Sequence, residues 1–544
     1  MKTFGAATFT VAGAALYTLV SAEMQPIVIK GSHFFYENGT EFFIKGIAYQ
    51  KDVGAGGSIS SSTGEPTDYQ DPLANKDGCD RDIPLLKELG VNTIRVYSID
   101  PAKDHDYCMN MLADAGIYTF NDLSNPKQSI NRNDPSWTID LATIYYNVID
   151  TMVKYNNTIG FFAGNEVSNV INNTDASAYS KAAIRDSKAY IKAKGYRPIG
   201  VGYATNDDAE IRDNLKDYFK CGSKETSVDF WGYNIYSWCG NSSFQESGYD
   251  KRTKEFEDYP VPVFMSEYAC NAVQPRPFTE VGALYGDQMT NVWSGGIMYM
   301  YYQEENDYGL VEIKNGQPVK LPDFDTFKDQ LAKVKPSNTD SASYQVTNTA
   351  LAECPATGTA WRASETLPPI ANAQVCSCMV KSLSCVPKAG LTGKQIGTLF
   401  GDICGLDEKA CVGISSNGTT GVYGAYSMCS GAEKLAFTMN AYFNNQNQAT
   451  DACDFDGNAV IQDGSIASDC KSILEQAGTA GTGVVTTVPT GAIAATSTGT
   501  GAGKSSGTGN SASGLTIPAF NIGLLQLGAY VLIAGMTGVG MVLL

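Results

Sequence analysis

Apolar and polar positions divide this chain into unlike stretches. From about residue 23 to residue 335, short apolar runs recur, each closed by a polar residue or a turn. They are FFIKGIAY (42–49), NTIRVYS (92–98), IYTFND (117–122), IGFFAGNE (159–166), PIGVGYA (198–204), DFWGYNIYS (229–237), PVFMSE (262–267) and GIMYMYY (296–302). Near-continuous apolar runs of this length predict strands buried on both faces, as in a parallel sheet. Mixed segments of helical character separate most of them, for instance 80–89, 138–154 and 176–194. Eight such strands alternating with helices predict an α/β chain, with a (β/α)8 TIM barrel over 23–335 in preference to a doubly wound sheet.

The rest of the chain changes character three times. Residues 336–371 read as a connecting segment. Residues 372–474 hold Cys376, Cys378, Cys385, Cys404, Cys411, Cys429, Cys453 and Cys470. That density predicts a small disulfide-rich domain after the barrel. The eight allow on the order of a hundred pairings, so the connectivity stays open at this point. Residues 475–514 collapse to Gly, Thr, Ser, Ala and Val and predict an extended linker.

Both ends carry targeting signals. Residues 1–22 have one charge, Lys2, then an uncharged stretch ending Val20-Ser21-Ala22, which predicts a signal peptide cleaved after Ala22. Residues 515–544 carry no charge and are almost wholly apolar from Ile522, and Asn510-Ser511-Ala512 stand upstream of that tail by a spacer of about ten residues. This is the layout of a GPI-attachment propeptide, with the lipid joined at Asn510. A tail anchor is the alternative, but the basic flank of a spanning helix is missing. The expected location is the extracellular face of the plasma membrane, by GPI anchor in its outer leaflet, with passage to a cell wall open. Sequons at Asn38, Asn156, Asn172, Asn241 and Asn417 fit surface loops of a secreted chain.

Composition narrows the chemistry. A net charge of −18 argues against a nucleic-acid surface. Only two histidines, His33 and His105, remove His-rich metal sites, and bland surface or packing roles are expected for both. The cysteine spacings do not suit a metal, so neither a metal nor a cofactor is expected. No heptad pattern argues for association, and a monomer is expected.

Two of the eight runs end in glutamate: the fourth in Ala163-Gly164-Asn165-Glu166, the seventh in Met265-Ser266-Glu267. Chemistry in such a barrel sits where strands end. The fourth and seventh strands face one another across its mouth. Two carboxyl groups flanking one bond are the equipment for glycoside cleavage, one as a protonated acid and one as an ionised partner.

At this point the residues resemble a known family. ADAGIYTFNDLSNPKQSINRNDPSW (113–137), FFAGNEVSN (161–169) and PRPFTEVGALYGDQMTNVWSGGIMYMYYQEENDYGLV (275–311) resemble glycoside hydrolase family 72, the fungal β-1,3-glucanosyltransferases of the cell wall. YGAYSMCSGAEKLAFTMNAYFNNQN (423–447) with CDFDGNA (453–459) resembles carbohydrate-binding module family 43. The resemblance implies a retaining transglycosylase with β-1,3-glucan as donor and acceptor. It implies Glu166 as acid/base, Glu267 as nucleophile and Asn165 on the sugar 2-hydroxyl. Tyr299 would contact Glu267, Tyr97 and Tyr236 would line the cleft, and Gln50 and Asp122 would bind substrate. It also implies the pairs Cys79–Cys108, Cys239–Cys270 and Cys221–Cys354, the last tying the connecting segment to the barrel. Ala269 stands where the resemblance would put glycine. An endo-β-1,3-glucanase is the nearest alternative, and a non-catalytic wall adhesin a more distant one.

Overall fold

A computed structural model describes residues 24–51 and 69–487. The signal segment, most of the predicted linker, and the tail with Asn510 lie outside these residues. The chain opens with a hairpin, β1 (Ile27–Lys30) and β2 (His33–Tyr36). Eight strands follow: β3 (Ile44–Ala48), β4 (Thr93–Val96), β5 (Tyr118–Asp122), β6 (Thr158–Asn165), β7 (Gly200–Thr205), β8 (Trp231–Asn234), β9 (Val263–Tyr268) and β10 (Trp293–Met298). They close into a parallel barrel in chain order, β10 pairing with β3. Each lies within or against one of the eight predicted runs. Between them run α1 (Lys76–Leu89), α2 (Asp106–Asp114), α3 (Ile139–Met152), α4 (Ala176–Ala193), α5 (Arg212–Lys220), α6 (Tyr249–Phe256) and α7 (Glu280–Leu284), and α8 (Pro322–Lys333) comes after. A second hairpin, β11 (Val311–Lys314) and β12 (Gln317–Lys320), sits between β10 and α8.

The barrel interior is aromatic. Phe120, Phe162, Phe230 and Phe264 pack ring against ring with centroids 5.0–6.0 Å apart. Phe34 of β2 joins them at 6.0–6.4 Å, so the first hairpin plugs the barrel end opposite the strand C-termini. Gly202 makes room for this layer, since a Cβ there would lie 2.3 Å from the Phe230 ring. Both histidines are buried and paired to carboxylates: His33 to Glu41 at 2.6 Å and His105 to Asp71 at 2.7 Å. The surface role is thereby corrected, because an imidazole inside the fold needs a polar partner.

The connecting segment wraps the barrel. Lys30 Nζ donates to the carbonyls of Ser341 and Tyr344, and Trp361 is buried. Cys221–Cys354, Cys79–Cys108 and Cys239–Cys270 are all formed. The cysteine-dense region folds as α9 (Ala373–Ser382), β13 (Cys385–Pro387), α10 (Gly393–Leu406), the short hairpin β14 (Ser416–Asn417) and β15 (Val422–Tyr423), α11 (Gly431–Asn445), β16 (Ala459–Ile461) and α12 (Lys471–Ala477). Its bridges are Cys376–Cys429, Cys378–Cys470, Cys385–Cys453 and Cys404–Cys411. The linker expected from 475 starts later. α12 continues to Ala477, and the chain to 487 folds back, Thr486 N donating to Gln476 Oε1 and Asn372 Nδ2 to Thr487 O. Among the described residues no helix is long and apolar enough to cross a membrane.

Candidate active site

The C-terminal end of the barrel gathers the predicted acids around one buried cation. Arg95 is the third residue of β4 and fully buried. Its guanidinium forms a two-bonded pair with Asp122, both contacts 3.0 Å. Its Nη2 also donates to Asn165 Oδ1 at 3.0 Å. Nη1 donates to Ser266 O at 3.3 Å and lies 3.5 Å from Glu267 Oε1. The flat group is stacked 4.4 Å from the Tyr97 ring and 4.2 Å from the Phe162 ring, which fixes its plane.

Glu267 lies in β9, opposite Asn234 in the ladder. One carboxyl oxygen accepts from the Tyr97 hydroxyl at 2.9 Å, the other from the Tyr236 hydroxyl at 2.8 Å. Burial pushes its pKa up, to about 7; Arg95 pulls it down, the charge of Glu166 pushes it up, and the two phenols pull it down. Burial also raises Tyr97 and Tyr236 well above the usual phenol range, so both stay protonated and donate.

Glu166 follows β6 directly and is half-buried. It has φ +49°, a left-handed conformation uncommon for a glutamate. The backbone there is held from both sides, its N–H donating to Ala204 O at 2.9 Å and its carbonyl accepting from Arg132 at 2.8 Å. Asn234 Nδ2 donates to Glu166 Oε1 at 2.8 Å and to Asn165 Oδ1 at 3.1 Å, while its own Oδ1 accepts from Ser266. Asn234 and Arg95 therefore couple both acids into one network.

The predicted residues fall into two groups. Glu166, Glu267, Asn165, Tyr97 and Tyr236 come together. Tyr299, one residue past β10, is adjacent: its ring meets Tyr236 edge-on at 6.4 Å and Tyr308 at 5.3 Å. Its hydroxyl bonds Asn306, and burial, then the nearby charge of Glu267, raise its pKa above the usual range. Tyr97 and Tyr236 both donate directly to Glu267. Gln50 and Asp122 make their hydrogen bonds within the protein. Gln50 is buried, its amide spent on the carbonyls of Lys51 and Gln70 and on Ser98 N. Asp122 is buried with both oxygens on Arg95. Arg95 and Asn234 were missed, although an arginine inside the apolar run NTIRVYS is itself a signal of a buried partner.

Residues 16–335 match the model of a family described as glucanosyltransferase, and residues 383–460 that of the X8 domain. A 1,3-beta-glucanosyltransferase of Arthroderma benhamiae is 53% identical, the match covering 100% of this chain and 99% of that protein. The 1,3-beta-glucanosyltransferase gas1 of Schizosaccharomyces pombe is 43% identical over 88% of this chain and 86% of its own. Among solved structures, a mutant of Saccharomyces cerevisiae Gas2p in complex with laminaritetraose and laminaripentaose superposes with a TM-score of 0.74. It is 44% identical, covering 83% of this chain and 98% of that one.

Proposed function

Because the chain belongs to the glucanosyltransferase family, we propose that its two acids act on β-1,3-glucan as a nucleophile and an acid/base. The protein is a retaining β-1,3-glucanosyltransferase: it cuts a β-1,3-glucan chain and transfers the new end to another. Glu267 attacks the anomeric carbon while Glu166 gives its proton to the departing oxygen, and the reducing-end fragment leaves. Glu166, now a base, takes the proton of an acceptor hydroxyl, which displaces Glu267 and forms the new bond with net retention. A well-bound acceptor outcompetes water through its high effective concentration. With Asn165 Oδ1 committed to Arg95 and Asn234, its amide donors are the groups left for the sugar 2-hydroxyl. Tyr299 flanks the same subsite.

The observation that supports these roles is the shared network: Asn234 bonds Glu166, while Arg95, Tyr97 and Tyr236 surround the Glu267 carboxylate. The protein works outside the cell, where its seven disulfides persist. We further assign it a GPI anchor at Asn510 and a monomeric state, with a catalytic unit at 23–335 and the cysteine-rich module running from 372 through at least 487. Incubation with a reduced laminarioligosaccharide tests the reaction: transfer gives products longer than the substrate, whereas hydrolysis gives only shorter ones. Glu267→Gln should abolish both. A Glu267→Gln enzyme with near-normal transfer would sink the nucleophile assignment.

A further inference from the structure

The segment that follows β8 carries Tyr236 to Glu267 near the end of β9. The last backbone bond between the two stretches runs from Ile235 N to Glu267 O at 2.9 Å. Beyond it the two segments are joined covalently by Cys239–Cys270, with Cα atoms 5.1 Å apart. Each cysteine stands three residues past an active-site side chain, Cys239 past Tyr236 and Cys270 past Glu267. Ladder bond and disulfide thus close a small ring around the Tyr236–Glu267 hydrogen bond, and Ala269 inside that ring takes a left-handed φ of +87°. We propose that the Cys239–Cys270 disulfide is a positioning element of glucan transfer, holding the Tyr236 hydroxyl on the Glu267 carboxylate. This rests on the reading of Glu267 as nucleophile.

The other restraints on this loop are non-covalent. Buried Trp238 donates to Thr279 Oγ1 at 2.9 Å, and Thr279 donates in turn to Gly240 O at 2.9 Å. Those bonds reach the far end of the β9–α7 connection, nine residues past Cys270, and Val273 packs on Gly240. The Tyr236 ring meets Tyr299 and Tyr308 edge-on at 6.4 and 5.8 Å, non-covalent contacts that are weak beside a covalent bridge. The disulfide is the strong link on the Glu267 side.

Cys239 is the one cysteine of the fourteen that is exposed. Thiol–disulfide exchange needs access to sulfur, so this bridge is the first to meet a reductant in solution. A dithiol thiolate attacks Cys239 Sγ, and Cys270 leaves as a thiolate that takes up a proton. The second dithiol sulfur then attacks the mixed disulfide, releasing Cys239 as a thiol and the reductant as a cyclic disulfide. Two electrons and two protons end on the protein.

The groups facing Glu267 are Arg95 and Tyr97 from the β4 end, Glu166 after β6, Tyr236 after β8, and Tyr299 and Tyr308 after β10, with Asp122 behind Arg95. Opening the bridge loosens Tyr236 among these. A lost phenol donor destabilises the carboxylate and moves its ionisation to higher pH.

The test reads kcat/KM against pH for the full chain before and after mild treatment with dithiothreitol and alkylation, with modified cysteines mapped by mass. Reduction confined to Cys239 and Cys270 should lower kcat by about 10- to 100-fold. It should shift the acid limb to higher pH, as Tyr236→Phe does, and re-oxidation should restore both. In the Tyr236→Phe background, reduction should add little further shift. The double variant Cys239→Ser/Cys270→Ser carries the same comparison if reduction spreads to other bridges. An unmoved acid limb, or a shift fully additive with Tyr236→Phe, overturns the proposal while leaving Glu267 as nucleophile. Transfer surviving in Glu267→Gln would instead overturn the underlying reading.

Discussion

Two carboxyl groups that share a cleft cannot ionise independently, and here the stronger constraint falls on Glu267. Burial holds its pKa near 7, with Glu166 adding to the rise and Arg95, Tyr97 and Tyr236 opposing it. A nucleophile must be ionised, so kcat/KM should fall as pH drops through that ionisation. Replacing Tyr97 by Phe removes a hydroxyl donor from the carboxylate and should move the limb to higher pH. The measurement is the burst from an aryl laminarioside, whose leaving group needs no protonation; a limb that stays put or falls would contradict that role. Ala269 is the second residue whose conformation has a consequence. An alanine at φ +87° carries a left-handed penalty of about 1–2 kcal/mol, whereas glycine costs about 0.5–1 kcal/mol of extra unfolded-state entropy. The first term is larger. Ala269→Gly should therefore raise stability by somewhat under 1 kcal/mol, read as an increase of one or two degrees in melting temperature. A decrease would mean that its methyl packs better than this reasoning allows.

Elements were legible where one pattern dominated. Each of the eight barrel strands is a run with few polar interruptions, and the two that close on glutamate placed both acids at the mouth. What escaped is what needs a third dimension. The hairpin of β1 and β2 has two four-residue strands too short to show a period, and its value lies in Phe34 entering a ring cluster drawn from four other strands. Gln50 and Asp122 sit at or just past strand ends, as a substrate contact would, but Asp122 turns to Arg95 of the neighbouring strand and Gln50 to loop backbone at Lys51, Gln70 and Ser98, and nothing in the linear order distinguishes the two outcomes. Arg95 was readable in principle, since a guanidinium in a doubly covered strand must find an anion. Two helix starts in the cysteine-rich region also carried an overlooked signal. Thr392 with Gln395 and Ser430 with Glu433 form reciprocal capping boxes, the spacing that marks a helix N-terminus.

At the scale of the whole molecule, the cysteine-rich module is seated on the α3–α4 side of the barrel. Ile139 N, at the start of α3, donates to Met428 O at 2.8 Å. The Tyr179 hydroxyl of α4 lies 2.9 Å from Ser416 Oγ, and its ring meets Tyr423 edge-on at 6.1 Å. The tip of the β14–β15 hairpin makes the closest approach. A Cβ on Gly418 would lie 2.7 Å from Asp175 O and 2.9 Å from the Tyr179 ring, while Gly418 O accepts from Ser364 N of the connecting segment at 2.8 Å. Backbone cannot yield as a long side chain can, so a larger residue must lift the hairpin from α4. The wild-type chain should unfold in a single calorimetric transition, because the connecting segment and this seam couple the two parts. Gly418→Val should separate it into two, the module melting first, and should cost about 1–3 kcal/mol. The barrel residues that hold Glu166 and Glu267 do not touch Gly418, so transfer between short laminarioligosaccharides should persist below the first transition. A single transition at the wild-type temperature in Gly418→Val would mean that the hairpin tip bears no load between the two parts.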